Sequence, residues 1–403
     1  MSAAVAFALA YLMSYLYRSA NAVISPELTR ELSLDPASLG LLTSGYFLAF
    51  GLTQVPAGML LDRYGPRRVE PVLLCVAALG AFAFAAAGSM AELAFARAAI
   101  GMGVAVCLMA PLKAIAVWQP AHRHATLAGW MMVAGGLGAI GATAPLEWAL
   151  RFVSWRTVFV AFGVATLAFA LLLAWRVPDL PRGGQAPGVR AQFAGVRAVF
   201  ASGRFWWIAP LGGFGMGTFM AVQGLWAVPW LMEVEHMTRA GAARVLLLMG
   251  VVTLAGYLGI GLFAQRLARH GVSSRHLFGG GFAVNALALL CITARLPGAA
   301  AWWALYGFGA AVNVLSFTVL NEGFARSLTA RANTALNLVM FGGSFVVQWG
   351  IGVVAETAAR SLGVDGGTAL RIAFALVLTV DALALAWFAW GWRRHANAPA
   401  AAT

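Results

Sequence analysis

Arg18 is the residue whose type and surroundings most clearly predict solute binding. It interrupts a long apolar run and shares one helical face with other polar residues, within an arc of about 80° at 3.6 residues per turn. The face consists of Tyr11, Ser14, Arg18, Asn21 and Ser25. A basic side chain at bilayer depth costs about 2.5 to 3.5 kcal/mol, so it requires a partner, a water-filled cavity or a substrate. We expect Tyr11, Ser14, Arg18 and Asn21 to bind a substrate; a salt bridge or snorkelling is the structural alternative.

Arg97 and Lys113 are the other two basic residues inside apolar runs, and Lys113 is the only lysine of the chain. Both lie in the fourth run, about 160° apart around a helix axis, so a straight helix cannot direct both at one substrate. Trp118 follows Lys113 by about 7.5 Å, which would allow the lysine to snorkel to the membrane surface. We expect Arg97 to face the cavity, and leave Lys113 open between ligand binding and snorkelling.

Two further polar faces occur in the second half of the chain. One spans an arc of about 80° and consists of Asn333, Asn337, Phe341, Ser344 and Gln348; the other consists of Tyr306, Asn313 and Ser316. Amides and hydroxyls both donate and accept hydrogen bonds without charge. We therefore expect Asn313, Asn337, Ser344 and Gln348 to bind polar groups of a small anion, with helix packing as the alternative.

Carboxylates are scarce inside the apolar runs. Asp381 is the one clearly in mid-run, whereas Glu322 and Glu147 lie towards run ends. Because intramembrane carboxylates can relay protons, Asp381 and Glu322 are candidate coupling sites; a structural pair or a protonated acid is the alternative. In the first six runs we find no mid-membrane carboxylate to pair with Arg18.

The composition requires a membrane environment for these residues. Hydrophobic residues make up 61% of the 403 residues and charged residues 10%, with a mean hydropathy of +0.81, whereas soluble domains carry about 25% charged residues. A membrane helix needs about 20 apolar residues. Twelve such runs predict an all-α integral membrane protein; they lie near 4–24, 39–61, 71–89, 93–117, 126–146, 157–176, 206–230, 243–264, 275–294, 299–321, 335–355 and 369–391.

The net charge of +13 follows membrane topology and does not indicate a nucleic-acid partner. With a cytoplasmic N-terminus, the inner loops hold sixteen arginines and the outer segments eight. This is the positive-inside bias expected when both termini are cytoplasmic. We expect a multi-pass protein of the cytoplasmic (inner) membrane, in contact with the lipid bilayer.

A Pro- and Gly-rich segment divides the chain into two halves. We predict a six-helix bundle over 1–176, a cytoplasmic linker over 177–204 and a second six-helix bundle over 205–403. Within the linker, Val189, Phe193, Val196 and Phe200 share a face flanked by Arg190, Arg197 and Arg204. This pattern indicates a basic amphipathic helix, either anchored to anionic lipid or bound to a regulatory partner.

Three pairs of segments indicate that the halves are related, because they recur in order at offsets of 203, 206 and 207 residues. They are GMLLDRYG from Gly58 with GLFAQRLARHG from Gly261, RAAIGMG from Arg97 with WALYGFG from Trp303, and Gly135-Gly136 with Gly342-Gly343. Such internal repeats characterise secondary transporters.

GMLLDRYGPRR between the second and third runs resembles the loop signature of the major facilitator superfamily, and RxxxGxG from Arg97 resembles its fourth-helix motif. The resemblance covers essentially the whole chain. It implies two pseudo-symmetric six-helix bundles, twelve membrane helices in all. It also implies a gating role for the loop; glycines there permit close helix approach and a tight turn, while charges bridge helix ends. The candidate gating residues are Gly58, Asp62, Arg63, Gly65 and Arg67.

Several details bear on the branch within this superfamily. Arg18 resembles the first-helix arginine with which anion-transporting branches bind substrate. Gln265 stands where a second Asp62 is expected, so we expect an ionic gate dominated by the first half.

The fifth run has GGLGAIGATAP in place of the Gly-Pro pair of drug-proton antiporters, and we interpret its glycines as close-packing positions. Met216 and Met220 match the spacing of a copper-importing branch, but its second motif is missing, which favours packing.

We conclude from the sequence that the chain is a secondary active transporter, a symporter or antiporter, moving a small anionic organic solute by alternating access. Coupling to a proton or another ion is open. Drug or amphiphile efflux, copper import and a non-transporting membrane sensor are the alternatives. No spacing of histidines, cysteines or acids predicts a metal site, a cofactor or an enzyme. The oligomeric state is open and is compatible with a monomer.

Overall fold

The computed structural model describes residues 2–179, 189–322, 324 and 328–395, and these residues form helices joined by short connections. In the first half the helices are α1 (Ser2–Leu32), α2 (Pro36–Tyr64), α3 (Pro66–Ala86), α4 (Met90–Gly103), α5 (Met109–Trp118), α6 (Ala121–Gly141), α7 (Ala144–Ala149) and α8 (Trp155–Arg176). In the second half they are α9 (Val189–Phe200), α10 (Gly203–Ala221), α11 (Ala227–Glu233), α12 (Arg239–Arg269), α13 (Ser274–Thr293), α14 (Ala299–Ala310), α15 (Leu315–Asn321), α16 (Thr329–Leu362) and α17 (Gly366–His395).

Each predicted apolar run coincides with a helix or with an interrupted helix. Within the described residues, nine helices are long and apolar enough to cross a membrane. The first, fourth and fifth runs are not among them. The polar face that contains Arg18 lowers the hydropathy of α1, turns separate α4 from α5, and the fifth run is continuously apolar only over Thr126–Gly141.

The interruption between α4 and α5 corrects the assumption that the fourth run forms a straight helix. Residues 104–108 form turns, and the Ala105 carbonyl accepts a hydrogen bond from Gln54 Nε2 at 3.0 Å. A buried carbonyl without a partner would destabilise such a break. The α2 side chain therefore stabilises an irregular backbone in the middle of the predicted span.

The short connection between α2 and α3 has the tight turn that the sequence predicted. Gly65 has φ = 77°, a conformation that residues with a side chain rarely adopt, and Pro66 begins α3. The expected close helix approach at Gly58 is wrong. A Cβ there would lie 3.7 Å from Met109 Cε, an ordinary contact.

The chain separates into two compact units, one of Met1–Pro187 with Gly224–Pro229 and the other of Gly188–Gln223 with Trp230–Thr403. In the first unit α1 packs on α6 and α8, α2 on α4, and α3 on α4 and α8. In the second unit α10 packs on α16 and α17, α12 on α14, and α13 on α14 and α17. The order of neighbours is the same in both, which supports the duplication inferred from the repeats.

Helix α9 confirms the predicted helix in the linker, but its apolar face contacts protein. Val199 is fully buried in the core of the second unit, Val196 and Phe200 pack against that core, and Gly195 lies against Arg331 of α16. The side chains of Val189, Arg190 and Phe193 lie outside the described residues. Arg197 remains exposed, so a lipid anchor would depend on the basic side of the helix alone.

Candidate functional site

Arg18 lies in a pocket of aromatic side chains contributed by α1 and α2. Its Cζ is 4.5 Å from the centroid of the Tyr15 ring and 5.3 Å from that of Phe50, and only 7% of the residue is exposed. The guanidinium donates a hydrogen bond to the Tyr46 hydroxyl, which donates to the Ser14 carbonyl at 3.3 Å. Cation–π contacts and this hydrogen bond stabilise the positive charge inside the unit.

The polar face predicted on α1 is buried along its whole length. The Tyr11 hydroxyl donates to the Tyr15 hydroxyl at 3.5 Å. By contrast, Ser14 Oγ and both polar atoms of the Asn21 amide are buried and have no hydrogen-bond partner among the described residues. Buried polar atoms without partners are rare in native structures. The face therefore combines a cation with donors and acceptors that a polar ligand could satisfy.

Tyr15, Tyr46 and Phe50 belong to this site but were not predicted. Tyr15 lies about 40° beyond the arc of polar residues on α1. Tyr46 and Phe50 are on α2, and no pattern within one helix indicates which residues of another helix it contacts.

Arg97 is held inside the first unit. Its Nη1 donates to the Tyr17 carbonyl at 2.8 Å, and its Cζ lies 5.0 Å from the Tyr46 ring centroid and 5.9 Å from that of Phe84. The residue is 1% exposed. Tyr46 therefore contacts both buried arginines, and Arg97 fixes α4 to α1 one residue before Arg18.

Glu70 is a buried acid of the first half that lies just outside the predicted third run. Helix α3 begins at Pro66, five residues before the predicted run, so Glu70 lies within the helix and is fully buried. The Cys107 thiol of the turn between α4 and α5 lies beside its carboxylate. The signal was present in the sequence, but the uncertainty of a helix boundary concealed it.

Lys113 lies with the predicted gating loop and not with Arg18. Its Nζ is 2.6 Å from Asp62 Oδ1 and donates to the Leu61 carbonyl at 2.8 Å. These contacts join the C-terminal end of α2 to α5. Because the ammonium already has two acceptors in this position, its side chain contributes to helix-end contacts at the predicted cytoplasmic surface.

The arginines of the loop have a different acidic partner from the one expected. We expected Asp62 to bridge helix ends with these arginines, whereas Arg67 Nη1 and Arg68 Nη2 each lie 3.5 Å from Asp179. Arg67 Nε also donates to the Ala174 carbonyl at 3.2 Å, and Arg63 stacks on the Tyr64 ring. These surface pairs are each worth about 0 to 1 kcal/mol, so their effect is to hold α3 near the end of α8.

The polar residues predicted in the second half all lie within the second unit. Asn313 Nδ2 donates to the Ala310 carbonyl at 2.8 Å, and the buried Asn313 Oδ1 has no partner within the part of the chain that the structure describes. Ser344 Oγ donates to the Met340 carbonyl at 2.8 Å and contacts Met220 Sδ at 3.2 Å. Gln348 is fully buried and Asn337 is partly buried.

Asp381 points into the second unit. Its Oδ1 accepts a hydrogen bond from Thr218 Oγ1 at 3.0 Å, and it acts electrostatically on the buried Tyr306. The Tyr306 hydroxyl and Ser316 Oγ are both buried, and neither has a hydrogen-bond partner in residues 2–179, 189–322, 324 and 328–395. The carboxylate thus belongs to a buried polar cluster with α10 and α14.

Glu322 forms an ion pair at the end of α15 and does not reach that cluster. Arg275 Nε lies 2.9 Å from Glu322 Oε2, and the Arg275 guanidinium lies 5.6 Å from the centroid of the Trp207 ring. The second unit therefore has its own acid–base pair at a helix end. The expectation of an ionic gate dominated by the first half stays a prediction.

In the part of the chain that the structure describes, no three His, Cys, Asp or Glu side chains come close enough to hold a metal ion. Met220, a candidate copper ligand, has its sulfur in contact with Ser344.

One protein-family model and several known transporters are similar to this chain in sequence. A family model described as the Major Facilitator Superfamily matches residues 7–348. The hexuronate transporter of Escherichia coli (strain K12) is 31% identical over 165 residues, which are 41% of this chain and 38% of that protein. The galacturonate transporter of Dickeya chrysanthemi is 30% identical over 159 residues, 40% of this chain and 46% of that protein. Each match thus spans less than half of either protein.

Two solved structures are similar over almost their full length. A bacterial homolog of the human lysosomal transporter Spinster has a TM-score of 0.73 at 18% identity, over 97% of this chain and 96% of the other. A D-xylose-proton symporter has a TM-score of 0.75 at 15% identity, over 95% and 96%. At these identities the likeness shows the fold alone.

Proposed function

The chain belongs to the Major Facilitator Superfamily, and on that basis we propose that it is a secondary active transporter of small organic anions. Sugar acids of the hexuronate type are the substrate class that fits best. Matched relatives are named for hexuronate and galacturonate transport. Fold alone would not select a substrate, so the proposal depends on the chemistry around Arg18.

The observation that carries the proposal is the buried Arg18 beside unsatisfied polar atoms on the same face of α1. A guanidinium binds a carboxylate through paired, charge-assisted hydrogen bonds. The hydroxyls of Tyr11 and Tyr15, Ser14 Oγ and the Asn21 amide can bond to sugar hydroxyls. A ligand with one carboxylate and several hydroxyls matches this set better than a neutral sugar or an apolar cation.

The second unit would supply further uncharged contacts. We propose that Asn313, Asn337, Ser344 and Gln348 bond to substrate hydroxyls and that Arg97 positions α1. Lys113 joins the gating group of Gly58, Asp62, Arg63, Gly65 and Arg67, since its contact with Asp62 joins α5 to α2. Asp381 remains a candidate coupling site.

The proposal includes a membrane topology. Twelve membrane helices in two bundles, over 1–176 and 205–403 with a linker over 177–204, would place both termini in the cytoplasm. The arginine distribution supports this orientation, and we propose the inner membrane as the location. Alternating access would then move the substrate through rocking of the two halves.

The proposal is tested by ligand-induced thermal stabilisation of the purified protein. A bound ligand raises the melting temperature by mass action, so D-galacturonate and D-glucuronate should stabilise the protein, whereas neutral D-galactose should not. Arg18→Ala should abolish the shift, and Arg18→Lys should retain only part of it because the paired geometry is lost. Arg360→Ala, which removes an exposed arginine of α16 paired with Glu356, is the matched control.

Other outcomes would identify the alternatives. Stabilisation by amphiphilic cations that is insensitive to Arg18→Ala would indicate efflux. Copper accumulation that is lost on substitution of Met216 and Met220 would indicate copper import. Anion binding without any exchange of labelled anion across proteoliposomes would indicate a sensor.

A further inference from the structure

Arg204 is a basic residue of the second unit that the proposed binding site does not use. It lies in the first turn of α10, and its Nε atom is buried without a hydrogen-bond partner among the described residues. A buried donor without an acceptor destabilises a protein, and the effect is larger for a charged group. An acceptor supplied by a ligand would remove this cost.

Arg275 brings a second guanidinium to the same face of α10. Arg204 and Trp207 are three residues apart, so they lie on one side of the helix. The Arg275 Cζ is 5.6 Å from the centroid of the Trp207 ring, and Arg275 acts electrostatically on Arg204. Two cations therefore lie near the first turns of α10 and α13.

Glu322 is the carboxylate that lies beside these two cations. Its Oε2 is 2.9 Å from Arg275 Nε, and the side chains of Arg275 and Glu322 are 24% and 34% exposed. These three residues, the charged cluster, carry two positive charges and one negative charge, so one positive charge is not neutralised. The other acids of the unit lie at the opposite helix ends or in mid-helix; they are Glu233, Glu235, Glu356, Asp365 and Asp381. The partial exposure of the pair allows a solute to reach the cluster from solution.

The end of α15 adds uncharged hydrogen-bonding groups beside the charged cluster. Asn321 directly precedes Glu322, and its Oδ1 is buried with no hydrogen-bond partner in the described part of the chain. Earlier in α15, Ser316 Oγ lies 3.4 Å from the position that a Cβ on Gly212 of α10 would take, so this side of α15 faces α10. A ligand that has a carboxylate and neighbouring hydroxyls matches two guanidinium groups and an amide oxygen.

We propose that Arg204 and Arg275 form a second binding site for sugar acids, at the predicted cytoplasmic end of the second unit. The inference rests on the proposed function and adds a site to it. The substrate carboxylate bonds to Arg204 and competes with Glu322 for Arg275, while Asn321 accepts a hydrogen bond from a hydroxyl. Because of this competition, the anion binds more weakly here than at Arg18. In the proposed topology the site binds the anion on the cytoplasmic side of the membrane.

Titration of the purified protein with D-galacturonate, followed by ligand-observed NMR, tests the second site. Two sites of different affinity should appear, and Arg18→Ala should remove only the tighter one. Arg204→Gln should raise the Kd of the weaker site roughly ten- to hundredfold, because charge-assisted hydrogen bonds are lost. Glu322→Gln should lower that Kd several-fold, since it removes the competing carboxylate. Arg269→Gln, which removes an exposed arginine at the same predicted end, should change neither Kd and is the matched control.

Several results would overturn the second site while leaving the proposed function intact. They are a single site that is lost in Arg18→Ala, a weaker site that is insensitive to Arg204→Gln, and a weaker site that Glu322→Gln does not strengthen. Displacement of D-galacturonate from the weaker site by inorganic phosphate, at a lower concentration than D-glucuronate requires, would assign the charged cluster to phosphate groups instead.

The two proposals can also fail separately in the other direction. If the weaker site behaves as expected but proteoliposomes exchange no labelled sugar acid, the proposed function fails and the second site remains. If the unmodified protein binds no sugar acid at all, both are overturned.

Arg204→Lys is the second variant if Arg204→Gln does not fold. Lysine keeps the positive charge in the first turn of α10 but cannot form the paired hydrogen bonds of a guanidinium with a carboxylate. The Kd of the weaker site should therefore rise, and that of the tighter site should not change. An unchanged Kd at the weaker site would show that Arg204 does not contact the anion and would overturn the inference.

Discussion

Tyr46 connects the two buried arginines of the first unit, since its hydroxyl bonds to Arg18 while its ring faces Arg97. A guanidinium on a flexible side chain binds a carboxylate best when its orientation is fixed in advance. Tyr46 provides this orientation because it is fully buried and also donates to the Ser14 carbonyl.

Replacing Tyr46 with Phe should therefore weaken sugar-acid binding without unfolding the protein. Loss of one hydrogen bond of this kind is worth about 0.5 to 1.5 kcal/mol, which corresponds to roughly a two- to twelvefold increase in Kd. Titration calorimetry would measure the change. Tyr17→Phe is the control, because the Tyr17 hydroxyl bonds to Thr166 and not to Arg18; an equal loss in both variants would contradict the assigned role.

The contact between Asp62 and Lys113 leads to a prediction about the rate of transport. Both side chains are partly exposed, so their pairing contributes about 0 to 1 kcal/mol to stability. If the pair acts as a gate, Asp62→Asn should slow the initial rate of uptake several-fold and leave Kd unchanged. The charge-swapped variant, Asp62→Lys with Lys113→Asp, should recover part of the rate. Equal changes in rate and Kd would show that the pair acts on the binding site instead.

At the scale of helices, the packing of α1 against α6 depends on glycines that the sequence identified. A Cβ at Gly135 would lie 2.7 Å from the Tyr11 ring, and one at Gly138 would collide with the Leu12 carbonyl. These contacts confirm the prediction that glycines of the fifth run are close-packing positions. They also hold α1 in the rotation that buries its polar face.

Gly138→Leu should consequently destabilise the protein by about 1 to 3 kcal/mol, the usual range for overpacking. It should also lower anion affinity, because α1 must move. Gly129→Leu on the same helix is the matched control, since no atom lies within 4 Å of a Cβ at that position. Thermal unfolding in detergent, with and without D-galacturonate, would compare the two; similar melting temperatures would contradict the packing argument.

Helix α4 begins with a capping box that gives a pH-dependent prediction. Glu92 accepts hydrogen bonds from the Gly88 and Ser89 N–H groups at 2.7 and 3.2 Å, and these bonds hold the pKa of its carboxylate below the ordinary value. A lowered pKa in the folded state adds stability above the ordinary value of about 4.3, and this stability is lost as pH falls through the folded-state pKa. The melting temperature of Glu92→Gln should therefore approach that of the unmodified protein below about pH 4. A difference in melting temperature that does not change with pH would exclude the capping carboxylate as its cause.

The sequence could predict helices and single-helix faces, but not contacts between helices. Run length located the helices, and a period of 3.6 residues identified the face around Arg18. Tyr46 and Phe50 of α2 contact that face. Lys113 pairs with Asp62 because a turn separates α4 from α5, whereas a periodicity argument assumes one continuous helix. Glu70 was missed because the predicted run begins five residues after the start of α3, so the sequence analysis placed Glu70 in a loop.

At the scale of the whole molecule, the two units have the same order of helix neighbours but different chemistry. The first unit contains two buried arginines and a tyrosine cluster, whereas the polar side chains inside the second are amides, hydroxyls and one carboxylate hydrogen-bonded to Thr218. Duplication followed by divergence would thus assign separate tasks to the units. The first would bind the carboxylate of the substrate together with some of its hydroxyls, and the second would bind hydroxyls alone.

This separation of tasks predicts that selectivity for the negative charge and selectivity for hydroxyl orientation can be changed independently. Asn313 has a buried Oδ1 without a partner, so it can accept a hydrogen bond from a substrate hydroxyl. Asn313→Ala should alter the ratio of Kd values for galacturonate and glucuronate, which differ in one hydroxyl orientation, by roughly two- to twelvefold. The preference for either acid over neutral galactose should not change. Arg18→Ala should reduce the preference for either acid over galactose and leave the ratio between the two acids unchanged, because it removes the charge contact. Competition binding with the three sugars measures both ratios, and if Asn313→Ala reduced the preference for anions, the units could not be acting on separate parts of the substrate.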